Sequence, residues 1–319
     1  MTRRQLLADL SLLLVVFVWG ATFVMVQDAV RVWPVFAFLS LRFSIAALAF
    51  LPLLWWKRRG HVALPGDPAS RPSFRPSQRI VLAGVVIGLV LAAGYAFQTF
   101  GLRYTTPAKA GFITGTSVVM VPIGAAFFLR QPVEAPAILG VLLTTLGLAF
   151  LSLNQDLSVG LGDLLVLFCA VSFAIHILLV GRYAPRVSAT WLAALQVTTV
   201  AVVTFLLALL TELPQGIPPL TGNVLFAAAF TGLLATTMAF TFQASAQRFT
   251  SATHTALIFS LEPVFAALAS YALIGEQLTG RVLWGCALIL AGMLSAEFGS
   301  VLLAVWRRRR LKENLGRVS

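Results

Sequence analysis

Apolar residues fall into ten blocks along the chain, separated by short segments that carry most of the prolines and charges. Each block has roughly the 17 to 23 residues that an α-helix needs to cross about 30 Å of hydrocarbon. Prolines at or between the block ends mark where helices are expected to stop. The pattern predicts an all-α integral membrane protein with ten transmembrane helices, at residues 8–27, 34–56, 79–100, 107–129, 136–154, 161–181, 189–211, 222–245, 251–274 and 281–305.

A similar order of residues occurs twice in the chain. Gln98 matches Gln243 at a step of 145 residues, and Asp9 matches Asp163 at a step of 154. Each half holds five spans, and because five is odd, the second half enters the membrane from the opposite face. We predict two inverted five-helix repeats, at residues 1–156 and 157–319. The same steps pair Trp19 with Phe173, Thr22 with His176, Arg42 with Gln196, Tyr95 with Phe240, Ser117 with Glu262, Gly140 with Gly285 and Gly147 with Gly292.

Lysine and arginine are distributed unequally between the two sides of the predicted spans. With the N-terminus inside, the inside segments hold 18 of the 23 basic residues and the outside segments hold 4. This bias predicts that both termini are cytoplasmic. The long connection at residues 57–79 is rich in Pro, Arg and Ser, and we predict a disordered cytoplasmic loop there.

The composition supports a membrane protein and limits its partners. The chain is 59% hydrophobic and 11% charged, whereas soluble chains have about 25% charged residues. The net charge of +12 does not indicate nucleic-acid binding, because the basic residues lie in short loops and tails. Cys169 and Cys286 both lie inside apolar blocks, so we expect neither a disulfide framework nor a metal site. No cofactor is expected.

Several short motifs, together with the repeat, resemble one family over nearly the whole chain. The motifs are Asp9, Trp19-Gly20, Gly162-Asp163, Leu261-Glu262-Pro263 and Gly275-Glu276. They resemble the EamA family of the drug/metabolite transporter superfamily. The resemblance implies a ten-helix bundle with a central cavity, which moves small metabolites or amphipathic compounds, often as an exporter of the bacterial inner membrane.

Charged groups at membrane depth are costly, roughly 2.5–3.5 kcal/mol near a helix centre on insertion scales, and therefore indicate a cavity. Glu262 lies mid-span beside Pro263, which leaves the carbonyl of Phe259 without its helical donor and weakens the helix there. Its carboxylate either binds a cation or a proton in the cavity, or is a structural group hydrogen-bonded to another helix. His176 either relays protons or binds substrate, or packs as a satisfied imidazole.

Arg42 is the one Lys or Arg placed deep in a predicted span. Its side chain can extend toward the surface, or it can pair with a carboxylate such as Glu262. Nearer the span ends, His254 matches Lys109 in the repeat. Both are placed on the outer side, as candidates for an entrance.

Uncharged polar residues form a second group of candidates. Gln98 and Gln243 are repeat mates, and each follows an aromatic residue, Tyr95 or Phe240, by about one helical turn. Such pairs suit a small amphipathic ligand, and interhelical hydrogen bonding explains them equally well. Weaker candidates are Trp19, Thr22, Thr114 and Thr116, and glycines expected to allow close helix packing are Gly20, Gly111, Gly115 and Gly124.

These features favour a secondary transporter of small organic solutes over a membrane-embedded enzyme, because the acidic residues are scattered rather than clustered at one interface. The chain has no Walker A motif, so uphill transport needs an ion gradient or substrate antiport. Few basic residues lie deep in the spans, which argues against multiply anionic substrates. We expect amino acids or amphipathic amines, with multidrug-type export as the runner-up. Protons are the candidate coupling ion, through Glu262 and His176, and spans one, three, four, six, eight and nine are expected to line the cavity.

Overall fold

The computed structural model describes residues 3–58, 78–105, 107–131, 133–152, 160–274 and 278–315, and all regular structure within these ranges is helical. The loop predicted at residues 57–79 falls largely outside them. The helices are α1 (Arg3–Val32), α2 (Val35–Arg58), α3 (Gln78–Gly101), α4 (Pro107–Gly115), α5 (Ser117–Phe128), α6 (Ala135–Ser152), α7 (Leu161–Tyr183), α8 (Ala189–Thr211), α9 (Gly222–Gly232), α10 (Ala239–Ala246), α11 (Ala252–Phe259), α12 (Glu262–Ile274) and α13 (Gly280–Leu315).

Seven segments of the described chain are long and apolar enough to cross a membrane. They are Arg3–Val32, Val35–Trp56, Gln78–Gly101, Leu161–Arg186, Ala189–Gln215, Gly222–Ala246 and Ala252–Ala269. Three shorter apolar segments are Ile113–Phe128, Ala135–Phe150 and Gly280–Ala296. The chain is therefore a multi-pass membrane protein, and a full set of ten crossings stays a prediction.

The outer surface of the bundle is apolar. Phe127 and Phe128 are 81% and 74% exposed, and Leu210 and Trp284 are similarly uncovered. A soluble protein rarely leaves so many large apolar side chains open to water. Lipid chains are the natural environment for such a surface, so the exposed faces agree with the membrane assignment.

Three of the predicted continuous helices are interrupted. The fourth span breaks at Thr116, between α4 and α5, and the eighth contains a π-helical turn at Leu233–Met238. The ninth ends α11 at Phe259 and restarts as α12 at Glu262. The expected weakening of the helix beside Pro263 is confirmed. Helix α11 ends at Phe259, whose carbonyl has no helical donor because Pro263 lacks a backbone N–H.

Helix packing relates the two halves reciprocally. Helix α1 packs on α10 and α12, and α7, at the matching place in the second half, packs on α3 and α5. Helices α6 and α13 cross closely through glycines. A Cβ on Gly140 would lie 2.7 Å from the carbonyl oxygen of Gly292, and one on Gly147 would lie 2.7 Å from that of Gly285. Each glycine thus meets the repeat mate of the other, as expected of contacts around a two-fold axis.

The glycines that were expected to bring helices together do so unequally. A Cβ on Gly20 would lie 2.7 Å from the Glu262 carbonyl oxygen and 2.8 Å from the Ala266 nitrogen, both backbone atoms. At Gly115 and Gly124 the nearest atoms belong to leucine side chains. At Gly111 the nearest atom is 3.8 Å away, an ordinary contact. The prediction of close packing was therefore wrong for Gly111.

Candidate functional site

A cavity inside the bundle gathers polar side chains from both halves. The volume in which the centre of a water molecule can lie is about 70 Å³. This is enough for several water-sized groups. It lies between α1, α3, α4, α7, α10 and the α11–α12 junction, as expected, and α2 also contributes. Nine of the ten predicted site residues line it: Trp19, Thr22, Arg42, Tyr95, Gln98, His176, Phe240, Gln243 and Glu262.

Thr116 is the predicted site residue that does not line the cavity. Its hydroxyl donates to the carbonyl oxygen of Ile113, one turn earlier, at the break between α4 and α5. Thr114, a weaker candidate, does line the cavity and accepts a hydrogen bond from Gln98 Nε2 at 3.3 Å. The polar contribution of this span therefore comes from Thr114 and Ser117.

Arg42 is 4% exposed and faces the cavity from α2. Its Nε donates to Thr236 Oγ1 at 3.0 Å, and one terminal nitrogen contacts the Tyr95 hydroxyl at 3.4 Å. The guanidinium carbon also lies 4.8 Å from the centre of the Tyr95 ring, a cation–π distance. Among the described residues no carboxylate lies within ion-pair distance of Arg42, so the suggested pairing with Glu262 was wrong. The suggested extension to the surface was wrong as well.

Glu262 begins α12 and presents its carboxylate to the cavity. The structural alternative for this residue requires a hydrogen bond to a neighbouring helix. In the described part of the chain no hydrogen-bond donor reaches the carboxylate. A carboxylate at this depth is costly unless a cation, a proton or a donor satisfies it. The hydrogen-bonded structural alternative therefore finds no partner among the described residues, and the cavity role stays a prediction.

His176 on α7 is 3% exposed, and its Nε2 lies 2.7 Å from Oε1 of Gln196. The imidazole also meets the Phe240 ring edge-on, with ring centres 5.7 Å apart. One nitrogen is therefore satisfied by a buried amide while the ring lines the cavity. This arrangement agrees with the packing interpretation and leaves the proton-relay interpretation a prediction.

Gln98 and Gln243 occupy matching places in the cavity wall and differ in their partners. Gln243 Nε2 donates to Gln247 Oε1 at 3.1 Å, and Gln247 Nε2 donates to the Ile177 carbonyl at 3.0 Å. Gln243 Oε1 is buried and has no hydrogen-bond partner among the described residues. An unsatisfied buried acceptor costs roughly 1–3 kcal/mol, so it is a natural place for a ligand donor.

Aromatic rings form the rest of the lining. Trp19 packs against Phe259 and Phe240, with ring centres 4.9 and 5.8 Å apart. Tyr95 meets Phe173 edge-on at 5.4 Å. Trp19 Nε1 donates to the Ala235 carbonyl at 2.8 Å. The same cavity therefore presents apolar ring surfaces, a carboxylate and a guanidinium.

The prediction that His254 and Lys109 share the outer side was wrong, because the two residues lie at opposite ends of the bundle. His254 Nε2 lies 3.1 Å from Asp9 Oδ1, close to the start of α1. Gln27, toward the other end of α1, donates to the carbonyl of Leu102, just before the α4 helix that carries Lys109. From residue 9 to residue 27 a helix rises about 27 Å, so His254 and the start of α4 lie at opposite ends of the bundle.

Two residues that position cavity groups were missed by the sequence analysis. Gln196 holds His176, and Thr236 holds Arg42. Gln196 could have been found as the repeat mate of Arg42. Thr236 is one of two adjacent threonines in an apolar span, and its role depends on a π-helical turn that no sequence pattern indicated. In the described residues no group of three His, Cys, Asp or Glu side chains converges as a metal site would require.

A multi-pass helical bundle whose polar side chains converge on an internal cavity is the build of a membrane transporter. The chain belongs to the EamA-like transporter family, whose model matches residues 6–153 and 160–296, and hence to the drug/metabolite transporter superfamily. An uncharacterized transporter of Archaeoglobus fulgidus is 34% identical over 292 residues, which cover 91% of this chain and 86% of that protein. The uncharacterized transporter YvbV of Bacillus subtilis is 26% identical over 290 residues, 89% of each chain. One solved crystal structure has the same fold, with a TM-score of 0.74 at 20% identity over 91% of this chain and 98% of the other.

Proposed function

We propose that this protein is a secondary transporter that exports small organic solutes, amino acids or related metabolites, by alternating access of two inverted five-helix halves. The cavity carries the proposal, because it brings three groups together. Neither the Glu262 carboxylate nor Gln243 Oε1 has a hydrogen-bond partner among the described residues, and the third group is the Arg42 guanidinium. The reciprocal glycine contacts of α6 and α13 support the inverted repeat. The family model supports transport as the activity.

The proposed substrate class follows from the charges that face the cavity. An ammonium group would satisfy Glu262 and Gln243 Oε1 together, because it supplies donors where both offer acceptors. A carboxylate on the same solute would find the guanidinium of Arg42. Side chains of the solute would pack on the aromatic lining. A zwitterion therefore fits both charges, whereas a multiply anionic solute would face Glu262 unfavourably.

The runner-up is a multidrug-type exporter of amphipathic cations. Its support is the pairing of the Glu262 carboxylate with the ring surfaces of Trp19, Phe240 and Phe259 around one cavity. Aromatic faces attract organic cations. Such a substrate would leave Arg42 unused, and this difference separates the two candidates.

The proposed membrane arrangement has ten crossings in the inner (plasma) membrane, with both termini in the cytoplasm. Its support is the excess of Lys and Arg in the segments on the side of the N-terminus. Protons are the candidate coupling ion, with Glu262 and His176 as the candidate groups. Both residues line the cavity from the second half.

The first experiment uses purified protein in liposomes with an internal pH dye. Amino acids and amphipathic cations are added singly, with and without an imposed proton gradient. Glu262→Gln is expected to lower transport across about pH 5.5 to 8 while the protein still inserts and folds. Glu134→Gln, an exposed glutamate outside the cavity, is the matched control.

The outcomes separate the parts of the proposal. Substrate-dependent proton movement that Glu262→Gln abolishes supports a coupled transporter with a carboxylate at its centre. Solute flux without proton movement leaves the transport proposal standing and removes the coupling role. Wild-type flux in the Glu262 variant at every pH would contradict the role of the carboxylate, and no flux of any compound in the panel would contradict the substrate class.

A further inference from the structure

The eighth span changes its hydrogen-bond register at Leu233–Met238. The backbone nitrogen of Ala239 donates to the Leu234 carbonyl, five residues back, as in a π-helix. In an α-helix this nitrogen would bond the Ala235 carbonyl. The Ala235 oxygen instead accepts the indole Nε1 of Trp19 at 2.8 Å. The π-helical turn thus supplies an acceptor to a cavity residue of the first half.

The threonine side chains of this turn follow the same shift. Elsewhere in the chain, Thr204 and Thr241 donate to the carbonyl four residues earlier. Thr236 donates to Thr231, and Thr237 to Gly232, five residues earlier. With its hydrogen committed to Thr231, the Thr236 oxygen is fixed as an acceptor, and Arg42 Nε donates to it at 3.0 Å.

The matching segment of the first half has neither feature. Residues 88–93 lie within the regular helix α3, and Leu91 stands at the place of Thr236. The partners differ in the same way, because Phe173 replaces Trp19 and has no N–H to donate. Gln196 replaces Arg42 and is engaged with His176. The π-helical turn therefore occurs in the half whose neighbours bring two donors to it.

We infer that the π-helical turn positions the binding groups of the first half, with Thr236 as the positioning residue that aims the guanidinium of Arg42 into the cavity. The Ala235 carbonyl does the same for the indole of Trp19. Gly232, immediately before the turn, allows the α2 backbone to approach, since a Cβ there would lie 2.7 Å from the Arg42 carbonyl oxygen. The inference rests on the proposed function only in requiring that solutes reach the cavity.

The test measures where the charge of Arg42 points, and it needs no known substrate. Thr99 lines the cavity on α3, about one turn after Tyr95. In a background with Cys169→Ala and Cys286→Ala, Thr99→Cys provides one thiol in the wall of the cavity that Arg42 also lines. Its labelling rates are measured with anionic sulfonatoethyl methanethiosulfonate and with the cationic trimethylammonium analogue, on the full-length protein in liposomes.

Thr236→Val is expected to lower the anionic-to-cationic rate ratio about fivefold, because the guanidinium loses its fixed direction. Thr237→Val is the matched control, since it removes an equivalent buried hydroxyl bond in the same turn without touching Arg42. Thr236→Ser keeps the hydroxyl and is expected to restore the ratio.

An unchanged ratio in Thr236→Val, or an equal fall in Thr237→Val, would overturn the positioning role. A failure of both reagents to label the parent protein would contradict a solute-accessible cavity, and with it the proposed function and this inference together. Transport that fails for every compound while the ratio falls only in Thr236→Val would leave the positioning role intact.

Discussion

Gly20 lies where α1 crosses the start of α12, and a single added methyl group tests this crossing. An ideal Cβ at Gly20 would stand 2.7 Å from the Glu262 carbonyl oxygen, 2.8 Å from the Ala266 nitrogen and 2.8 Å from Phe265 Cβ. Two of these atoms belong to backbone and cannot rotate away. To reach an ordinary contact of 3.4 Å, the helices must separate by about 0.7 Å, and overpacking of this kind costs about 1–3 kcal/mol.

We expect Gly20→Ala to lower the apparent Tm of the detergent-purified protein by several degrees, measured by intrinsic fluorescence on heating. Two controls carry the same substitution. Gly111→Ala lies in the cavity wall, where the nearest atom is 3.8 Å away, and Gly222→Ala begins α9 with nothing within 4 Å. Both are expected to stay within about 1 kcal/mol of the parent or to gain slightly from helix propensity.

The result that would refute this reasoning is equal stability of Gly20→Ala and Gly111→Ala. A drop confined to Gly20→Ala has a second consequence, because Glu262 is the first residue of α12 and moves with the displaced backbone. Transport by this variant should therefore fall further than its loss of folded protein explains.

Two other contacts give predictions of the same kind. Gly140→Ala and Gly147→Ala are each expected to lower the free energy of unfolding by about 1–3 kcal/mol. The two losses are expected to be similar, because the contacts of these glycines on α13 are reciprocal. Unfolding in urea or by heat measures the losses, and Gly280→Ala, with nothing within 4 Å, is the control. Glu212→Ala is expected to cost about 1 kcal/mol, since its carboxylate accepts from the Phe36 and Ala37 nitrogens at the start of α2, at 3.0 and 2.7 Å. A stability equal to the parent would show that the cap contributes nothing.

Hydropathy and the repeat predicted the helical segments and most of the polar residues that line the cavity, because both depend on where polar groups are tolerated in lipid. Glu262, Arg42 and His176 stood out as polar residues in apolar blocks, and all three face the cavity. Their partners were not predictable in the same way. A polar residue in a span indicates that some partner exists, but the partner depends on helix rotation and depth, which sequence periodicity does not fix.

The interruptions of the helices were the least predictable part. Pro263 indicates a break because it removes a backbone donor, and the break is present between α11 and α12. Thr116 carries no such signal, although the break at Thr116 lies close to the position in the first half that matches the α11–α12 break. The π-helical turn at Leu233–Met238 consists of residues that suit an α-helix equally well. The side chains that donate to it, Trp19 and Arg42, are about two hundred residues away in the chain.

The scaffold and the cavity differ in how far they keep the repeat. At the α6–α13 crossing, Gly140 contacts the repeat mate of Gly147, and Gly147 contacts the repeat mate of Gly140. The two contacts are therefore equivalent. In the cavity, each of the two charged residues has an uncharged repeat mate. Arg42 of the first half corresponds to Gln196 of the second, and Glu262 of the second half corresponds to Ser117 of the first.

This division of charge bears on the proposed mechanism. Any rearrangement that moves α2 relative to α12 changes the distance between Arg42 and Glu262, because α2 carries the guanidinium and α12 carries the carboxylate. The Coulomb energy of a bound zwitterion that bridges them changes with that distance. A ligand shifts a conformational equilibrium only through a difference in its interaction energy with the two states. Placing the two charges on separate helices supplies such a difference, which a cavity with both charges on one rigid helix would not.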